Sequence, residues 1–322
     1  MPTAGGAEDG ERERRAERVL DEDSAPKEWG FIMENQITKS KKEIIRIITI
    51  LILVTTIVKY IEFLFIRTDQ TIIADNVITK IFCIIATLVA MKICGLKLSD
   101  IGLKYKNTFK YIGCGLGLGI FTFAISYGLE IALLAGMGKV PHLSMYITNF
   151  GLSGATSEVG LSALALIICV IVNIINVLAE EGMFRGFILK VVTERWGFKT
   201  GNYVQAFLFG IWHIVMVVLG LYDGQMSVGQ AVIFAVGYVV LAGILAIEWG
   251  TCVSMTGVLW VGLSEHFFNN FIGNFLHVVS SSGTDEFQII RIVLSIFLSL
   301  GIVLFINKRK QKKDGLAVGT KA

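Results

Sequence analysis

Ionisable side chains occur inside three apolar stretches in the second half of this chain. The first stretch holds two adjacent carboxylates and an arginine, at Glu180, Glu181 and Arg185. The next two hold His213 and His266. An ionisable group at the centre of a membrane-spanning helix costs at least about 2.5 kcal/mol. Because such groups are usually kept for a function, their accumulation indicates general acid–base or metal chemistry.

Helical spacing assigns these residues to faces. Glu180 and Glu181 are separated by about 100° around a helix axis, so they cannot perform the same task. Glu181 is four residues before Arg185 and is predicted to pair with it. Glu180 is then free to face a polar cavity.

The two histidine stretches show the same four-residue spacing. Phe209 and His213 share one helix face, and His266 and Asn270 share another. Within the spans set out below, the helical rise places Glu180 and His213 about 15 Å, and His266 about 20 Å, from the predicted cytoplasmic ends. These similar depths predict one intramembrane polar cavity that opens to the cytoplasm.

The remainder of the sequence is typical of a polytopic membrane protein. Of the 322 residues, 54% are hydrophobic and 17% are charged, whereas a soluble protein carries about 25% charged residues. Only helices and closed barrels cross bilayers, so we expect an all-α protein with about eight transmembrane helices. The predicted spans cover residues 44–66, 77–96, 109–136, 161–187, 203–221, 228–249, 252–279 and 289–306.

Basic residues predict the orientation of these spans. They concentrate before the first span, after the second and fourth, and after the last, so both termini are expected in the cytoplasm. The turn at 248–251 should also be cytoplasmic, yet it has no basic residue. The net charge of +3 does not indicate a nucleic-acid partner, because the basic residues flank the spans.

Composition also divides the chain. Residues 1–32 contain almost no large apolar residues and are predicted to form a disordered tail, with Met33 as an alternative start. Residues 33–313 form a single transmembrane domain, and 314–322 are expected to be a disordered C-terminus. Pro141 is the only proline after residue 33, so the helices should be mostly unkinked.

Two further patterns concern packing and charge. The third span contains overlaid small-xxx-small patterns that predict close helix packing; their glycines are Gly113, Gly115, Gly117 and Gly119. Three other glutamates lie near predicted span ends and are expected to be solvated; they are Glu62, Glu130 and Glu248.

The order Glu-Glu-x-x-x-Arg, Phe-x-x-x-His and His-x-x-x-Asn on separate helices resembles the CPBP family. This family comprises the type II CAAX prenyl endopeptidases and bacterial relatives, including bacteriocin-immunity-like Abi proteins. The resemblance covers residues 77–280 approximately. All seven motif positions match, namely Glu180, Glu181, Arg185, Phe209, His213, His266 and Asn270.

This resemblance implies intramembrane proteolysis. Glu180 and His213 would activate a water molecule, and His266 and Asn270 would stabilise the oxyanion. Glu180, His213 and His266 are also a plausible catalytic zinc set. We expect no tightly bound metal, because the glutamate–histidine water mechanism needs no ion.

The expected partners are membrane lipids and a peptide or lipidated-protein substrate. In a bacterium or archaeon, the expected location is the plasma membrane. Two other functions stay open: a non-proteolytic immunity or signalling scaffold, and a proton-coupled transporter. A site that opens to one side favours the protease, whereas alternating access favours the transporter.

Overall fold

The computed structural model describes residues 37–71, 73, 75–148, 161–280, 283 and 285–319. The predicted tail at 1–32 and the last residues, 320–322, lie outside this part. The helices are α1 (Lys41–Ile61), α2 (Val77–Ile93), α3 (Thr108–Gly136), α4 (Ala163–Glu180), α5 (Leu189–Trp212), α6 (Ile214–Tyr222), α7 (Val228–Thr256), α8 (Trp260–Phe275) and α9 (Gln288–Gly319). Two strands, β1 (His142–Met145) and β2 (Leu276–Val279), pair antiparallel.

Five helical segments of the described chain are long and apolar enough to cross a membrane. They are Lys41–Ile66, Thr108–Gly136, Ala163–Tyr222, Val228–Thr256 and Gln288–Lys313. Large apolar side chains on these and neighbouring helices are exposed, among them Ile57, Ile85 and Phe297. Soluble proteins rarely expose so much apolar surface. The chain is therefore an all-α integral membrane protein, as its composition predicted.

Two helix breaks correct the expectation of unkinked helices. The helix α5 is interrupted at Gly197, whose φ of 79° and ψ of 160° are not helical. The second break separates α5 from α6 at His213. Neither break involves proline. The first uses the conformational freedom of glycine.

The predicted turn at 248–251 is wrong. The helix α7 continues through these residues and ends at Thr256, and the residue that follows, Gly257, has a φ of 71°. Gly250 is helical within α7, and a Cβ at this position would overlap the side chain of Asn202 on α5. The missing Cβ thus serves close helix packing, and residues 248–251 are part of a helix and not a turn.

The predicted seventh span is also too long at both ends. The helix α8 begins at Trp260 and ends at Phe275. Residues 276–279 form β2, in which Leu276 faces Met145 of β1. Pairing with β1 gives this backbone hydrogen-bond partners outside a helix. His266 consequently lies about 9 Å along α8 at 1.5 Å per residue, not 20 Å.

The three glutamates that were expected to be solvated are all buried, and each has a specific partner. Glu62 accepts backbone N–H groups of Ile78 (2.9 Å) and Thr79 (2.5 Å), at the start of α2. These N–H groups are unsatisfied at any helix N-terminus, so Glu62 serves as a cap from another helix.

Glu130 on α3 forms an ion pair with Arg291 on α9. Arg291 also donates to Asp285, at 2.6 Å from Nη2. Glu248 shares the hydroxyl of Ser299 with Glu265. The prediction of solvation was wrong because other segments of the chain cover these three carboxylates.

One of the two overlaid glycine patterns on α3 is used for packing on α8. A Cβ at Gly115 would overlap the Ser264 hydroxyl and the Val261 carbonyl. A Cβ at Gly119 would lie 2.7 Å from the ring of Phe268. The other two glycines have no neighbouring atom within 4 Å. The close approach fixes α8, the helix that carries His266.

This packing predicts opposite effects for two glycine-to-alanine substitutions on one helix. Gly115→Ala should lower the free energy of unfolding by about 1–3 kcal/mol, because the added methyl group meets backbone. Gly117→Ala, the matched control, should be neutral or stabilising, since alanine favours helices. Thermal unfolding in detergent, followed by tryptophan fluorescence, measures both. Equal effects at the two positions would contradict this arrangement.

Candidate active site

The first part of the site lies where a regular helix changes its winding. The helix α4 begins after Ser162, whose hydroxyl accepts the Ala165 N–H, and it ends at Glu180. The chain then continues as a π-helical segment, Glu181–Ile188. Such wide turns are rare and are frequent at functional sites. The change occurs between the two adjacent glutamates.

Glu181 is fully buried and binds two cationic or polar groups. Its Oε1 lies 2.9 Å from His266 Nδ1 and 3.4 Å from Arg185 Nη1. The predicted Glu181–Arg185 pair is confirmed. A carboxylate only accepts, so Nδ1 of His266 carries the hydrogen of this bond. Glu181 therefore fixes the orientation of the His266 ring.

Arg185 is held by aromatic faces as well as by charge. Its guanidinium carbon lies 3.9 Å from the ring centre of Phe209 and 4.7 Å from that of Trp249. Desolvated cation–π contacts contribute about 2 kcal/mol or more. Phe209, a motif residue that cannot do acid–base chemistry, thus stabilises the buried arginine.

Trp249 also stacks on His266, with ring centres 4.2 Å apart and an interplanar angle of 17°. Gly262 permits this approach, because a Cβ there would lie 3.0 Å from the Cβ of Trp249. Trp249 was not among the predicted site residues, because the predicted sixth span ends at this residue. The continuous helix α7 carries it into the site.

Glu180 lies on the opposite side of the His266 ring from Glu181. Its Oε2 is 3.7 Å from His266 Nε2, and 8% of the residue is exposed. Its carboxylate also interacts electrostatically with His213 and Lys59. The adjacent glutamates thus have different surroundings: Glu181 is enclosed by partners, and Glu180 retains a small exposed fraction.

His213 occupies the break between α5 and α6. Its Nδ1 is 2.8 Å from the carbonyl oxygen of Phe209, which can only accept. In the neutral ring, Nε2 is then left as the acceptor. The ring of Tyr238 lies parallel to it, with an interplanar angle of 11° and ring centres 6.2 Å apart. His213 is thus oriented by backbone and by packing.

Asn270 is half-buried and lies one helical turn beyond His266 on α8. Within the described part of the chain, it makes no hydrogen bond to Glu180, His213 or His266. Of the four residues predicted to act on a substrate, the structure thus links three by contact or charge. Asn270 lies on the same helix as His266 without such a link.

A further charged residue was also missed. Lys59 of α1 is buried, and its Nζ donates to the carbonyl of Trp212 at 3.0 Å. The signal was present in the sequence, because Lys59 is an ionisable residue inside the first apolar span. A lysine inside a membrane span is as costly as the glutamates and histidines of the predicted site.

The predicted zinc set is only partly assembled. The 3.7 Å between Glu180 Oε2 and His266 Nε2 could be spanned by two bonds of about 2.0–2.2 Å to one ion. Among the described residues, however, no group of three or more His, Cys, Asp or Glu side chains could hold a metal ion. In this arrangement Glu180, His213 and His266 thus do not form such a group.

The shared contacts of Glu181 predict strong coupling with Arg185. Breaking a buried ion pair by removing one partner costs about 3–5 kcal/mol, because the other charge is left uncompensated. Glu181→Gln and Arg185→Met should each destabilise by this amount. The double variant should lose clearly less than the sum. Unfolding free energies of the four proteins in detergent test this, and additive losses would show that the pair is not coupled.

Comparison with known proteins gives one match, which covers the part of the chain that holds these residues. Residues 162–272 match the sequence profile of the Rce1-like family, described as type II CAAX prenyl endopeptidase Rce1-like. The match contains all seven motif residues but is shorter than the 77–280 expected from the resemblance. Searches of curated proteins and of solved structures found no match. Over residues 162–272 the chain is therefore similar to the Rce1-like CAAX endopeptidases, a family of peptidases.

Proposed function

We propose that this protein is an intramembrane endopeptidase that hydrolyses peptide bonds with a water molecule activated by Glu180 and His213. The observation that carries the proposal is the position of His266 between two buried carboxylates, at 2.9 Å from Glu181 and 3.7 Å from Glu180. This constellation lies inside the segment that matches a peptidase family. A purely structural role would not require the costly second carboxylate.

In the first step, Glu180 accepts a proton from water as the water oxygen bonds to the substrate carbonyl carbon. His213 holds the same water through Nε2, since its Nδ1–H is bound to the Phe209 carbonyl. The carbonyl π electrons move to oxygen and produce a tetrahedral oxyanion. General base catalysis of this kind raises the rate of such reactions by about 10²–10⁴-fold.

The oxyanion requires donors at its developing charge. His266 provides Nε2–H when both of its ring nitrogens carry hydrogen, and Asn270 provides its amide. Collapse of the intermediate breaks the C–N bond, and the proton held by Glu180 passes to the leaving nitrogen. The products are a carboxylic acid and an amine. Glu181, Arg185 and Phe209 hold His266 and do not touch the substrate.

The proposed topology has eight membrane crossings with both termini in the cytoplasm. One of the five long segments, Ala163–Tyr222, is broken at Gly197 and provides two crossings, and the other four provide one each. The shorter helices α2 and α8, with 17 and 16 residues, provide the remaining two. The basic residues before α1 and at 308–313 favour a cytoplasmic location for both termini.

The proposed substrate is a peptide or a lipidated protein that reaches a polar cavity from the cytoplasm and the surrounding lipid. The proposal includes prenylated substrates, because the matching family is described as CAAX prenyl endopeptidases. In a bacterial or archaeal cell, the location would be the plasma membrane. A panel of prenylated and unprenylated C-terminal peptides, incubated with purified protein and analysed by mass spectrometry, identifies the cleaved class.

Exchange of Glu180 is the most direct test of the mechanism. Glu180→Gln should lower kcat on a cleaved peptide by about 10²–10⁴-fold, because a general base is removed. Folding and insertion should persist, since the side chains have almost the same shape. Glu181→Gln, the adjacent control, should mainly lower thermal stability. Similar mild effects at both positions would refute the division of tasks.

Metal dependence separates two mechanisms. We propose that no tightly bound metal takes part, so activity should survive prolonged treatment with a strong chelator. Elemental analysis of active protein should then find much less than one metal ion per chain. Zinc that is stoichiometric, is lost with activity and restores it on addition would overturn this proposal. Glu180, His213 and His266 would then be the ligands to examine.

A further inference from the structure

Lys59 is a buried cation that the proposed mechanism does not use. It lies in the last turn of α1, far in sequence from residues 162–272, and only 6% of it is exposed. Lysines near the ends of membrane helices usually extend their ammonium group toward water. Lys59 instead directs Nζ toward the carbonyl of Trp212, at 3.0 Å. Its ammonium group also lies 4.2 Å from the Trp212 ring centre.

The Trp212 carbonyl is the last one of α5. In a continuous helix, it would accept the N–H of Met216, four residues later. Here Met216 N donates to the carbonyl of His213 instead, at 3.1 Å. The Trp212 carbonyl is thereby released from the helical ladder. A buried carbonyl in this state needs another donor, and Lys59 supplies it.

The released carbonyl belongs to the residue before His213. The break at His213 has φ −85° and ψ −10°, and it separates α5 from α6. Without a donor for Trp212, the ladder could close by returning the Met216 N–H to that carbonyl. Closure would rotate the backbone of His213. Lys59 thus stabilises the open form of the break.

The charge of Lys59 also acts at the site. Lys59 and Glu180 interact electrostatically, although the hydrogen bond of Lys59 goes to the backbone. A positive charge near a carboxylate attracts it, so Lys59 acts on Glu180 as well as on the helix break. The hydrogen bond and the charge therefore act on the two residues proposed to bind the same water.

We propose that Lys59 is a positioning residue of the active site, which pins the helix break at Trp212 so that His213 is directed toward Glu180. This inference rests on the proposed function for its effect on catalysis. Its structural part, the dependence of the His213 ring on Lys59, can be tested without any substrate.

The test is ¹⁵N NMR of the protein in detergent with labelled histidine. The chain has four histidines, so the His213 ring signals can be assigned with a His213→Gln variant. Lys59→Met keeps the length of the side chain and removes its donors and its charge. We expect the two ring ¹⁵N signals of His213 to shift at fixed pH. Lys59→Arg, which keeps donors and charge, should retain the wild-type pattern.

Lys80→Met is the matched control for charge alone. Lys80 lies on α2 and pairs with Asp75, and it also acts electrostatically on Glu180 without contacting Trp212. Its substitution should leave the His213 signals unchanged. Unchanged His213 signals in folded Lys59→Met would overturn the inference. If Lys59→Met does not insert, Lys59→Leu, which also removes the donors and the charge, provides the same comparison.

Kinetics on a peptide cleaved by the wild type supply the second readout. Lys59→Met should lower kcat on the order of 100-fold with little change in KM, as for a displaced catalytic group. An unchanged kcat would overturn the catalytic part of the inference. If the wild type cleaves no peptide, the proposed function fails, while the NMR comparison still decides the role of Lys59.

Discussion

The imidazole of His266 lies between two adjacent buried carboxylates, and much of the surrounding structure keeps it there. Glu181 fixes one ring nitrogen at 2.9 Å, and Trp249 covers one face of the ring. Arg185 compensates Glu181 and is itself covered by Phe209. A charge in this setting is tolerated only with such partners, because burial without them costs several kcal/mol per ion.

The position of His266 also depends on residues that do not contact its ring. The helix α8 carries His266, and its position depends on the glycine face of α3 at Gly115 and Gly119. On its other side, Glu265 shares the Ser299 hydroxyl with Glu248 and so joins α7, α8 and α9. Close backbone packing and buried hydrogen bonds thus both fix the orientation of α8.

Irregular winding is concentrated where the side chains must converge. The π-helical segment begins between Glu180 and Glu181, and the break at His213 releases the carbonyl that Lys59 binds. Adjacent residues of a regular helix differ in direction by about 100°, which directs the two glutamates to different partners. Such departures require compensating contacts, and both are compensated here from neighbouring helices.

The sequence alone determined the class of protein, the pairing of Glu181 with Arg185 and the residues that carry the family motifs. These follow from composition, from helical spacing and from the cost of charge in a membrane, all of which are local. It did not determine the extent of α7. Gly250 is typical of a turn, and only its contact with Asn202 shows that it serves helix packing. Nor did it determine the burial of Glu62, Glu130 and Glu248, whose partners come from distant segments. Only the tertiary structure places Trp249 and Lys59 at the site, since their contacts join helices far apart in the chain and no spacing rule encodes such contacts.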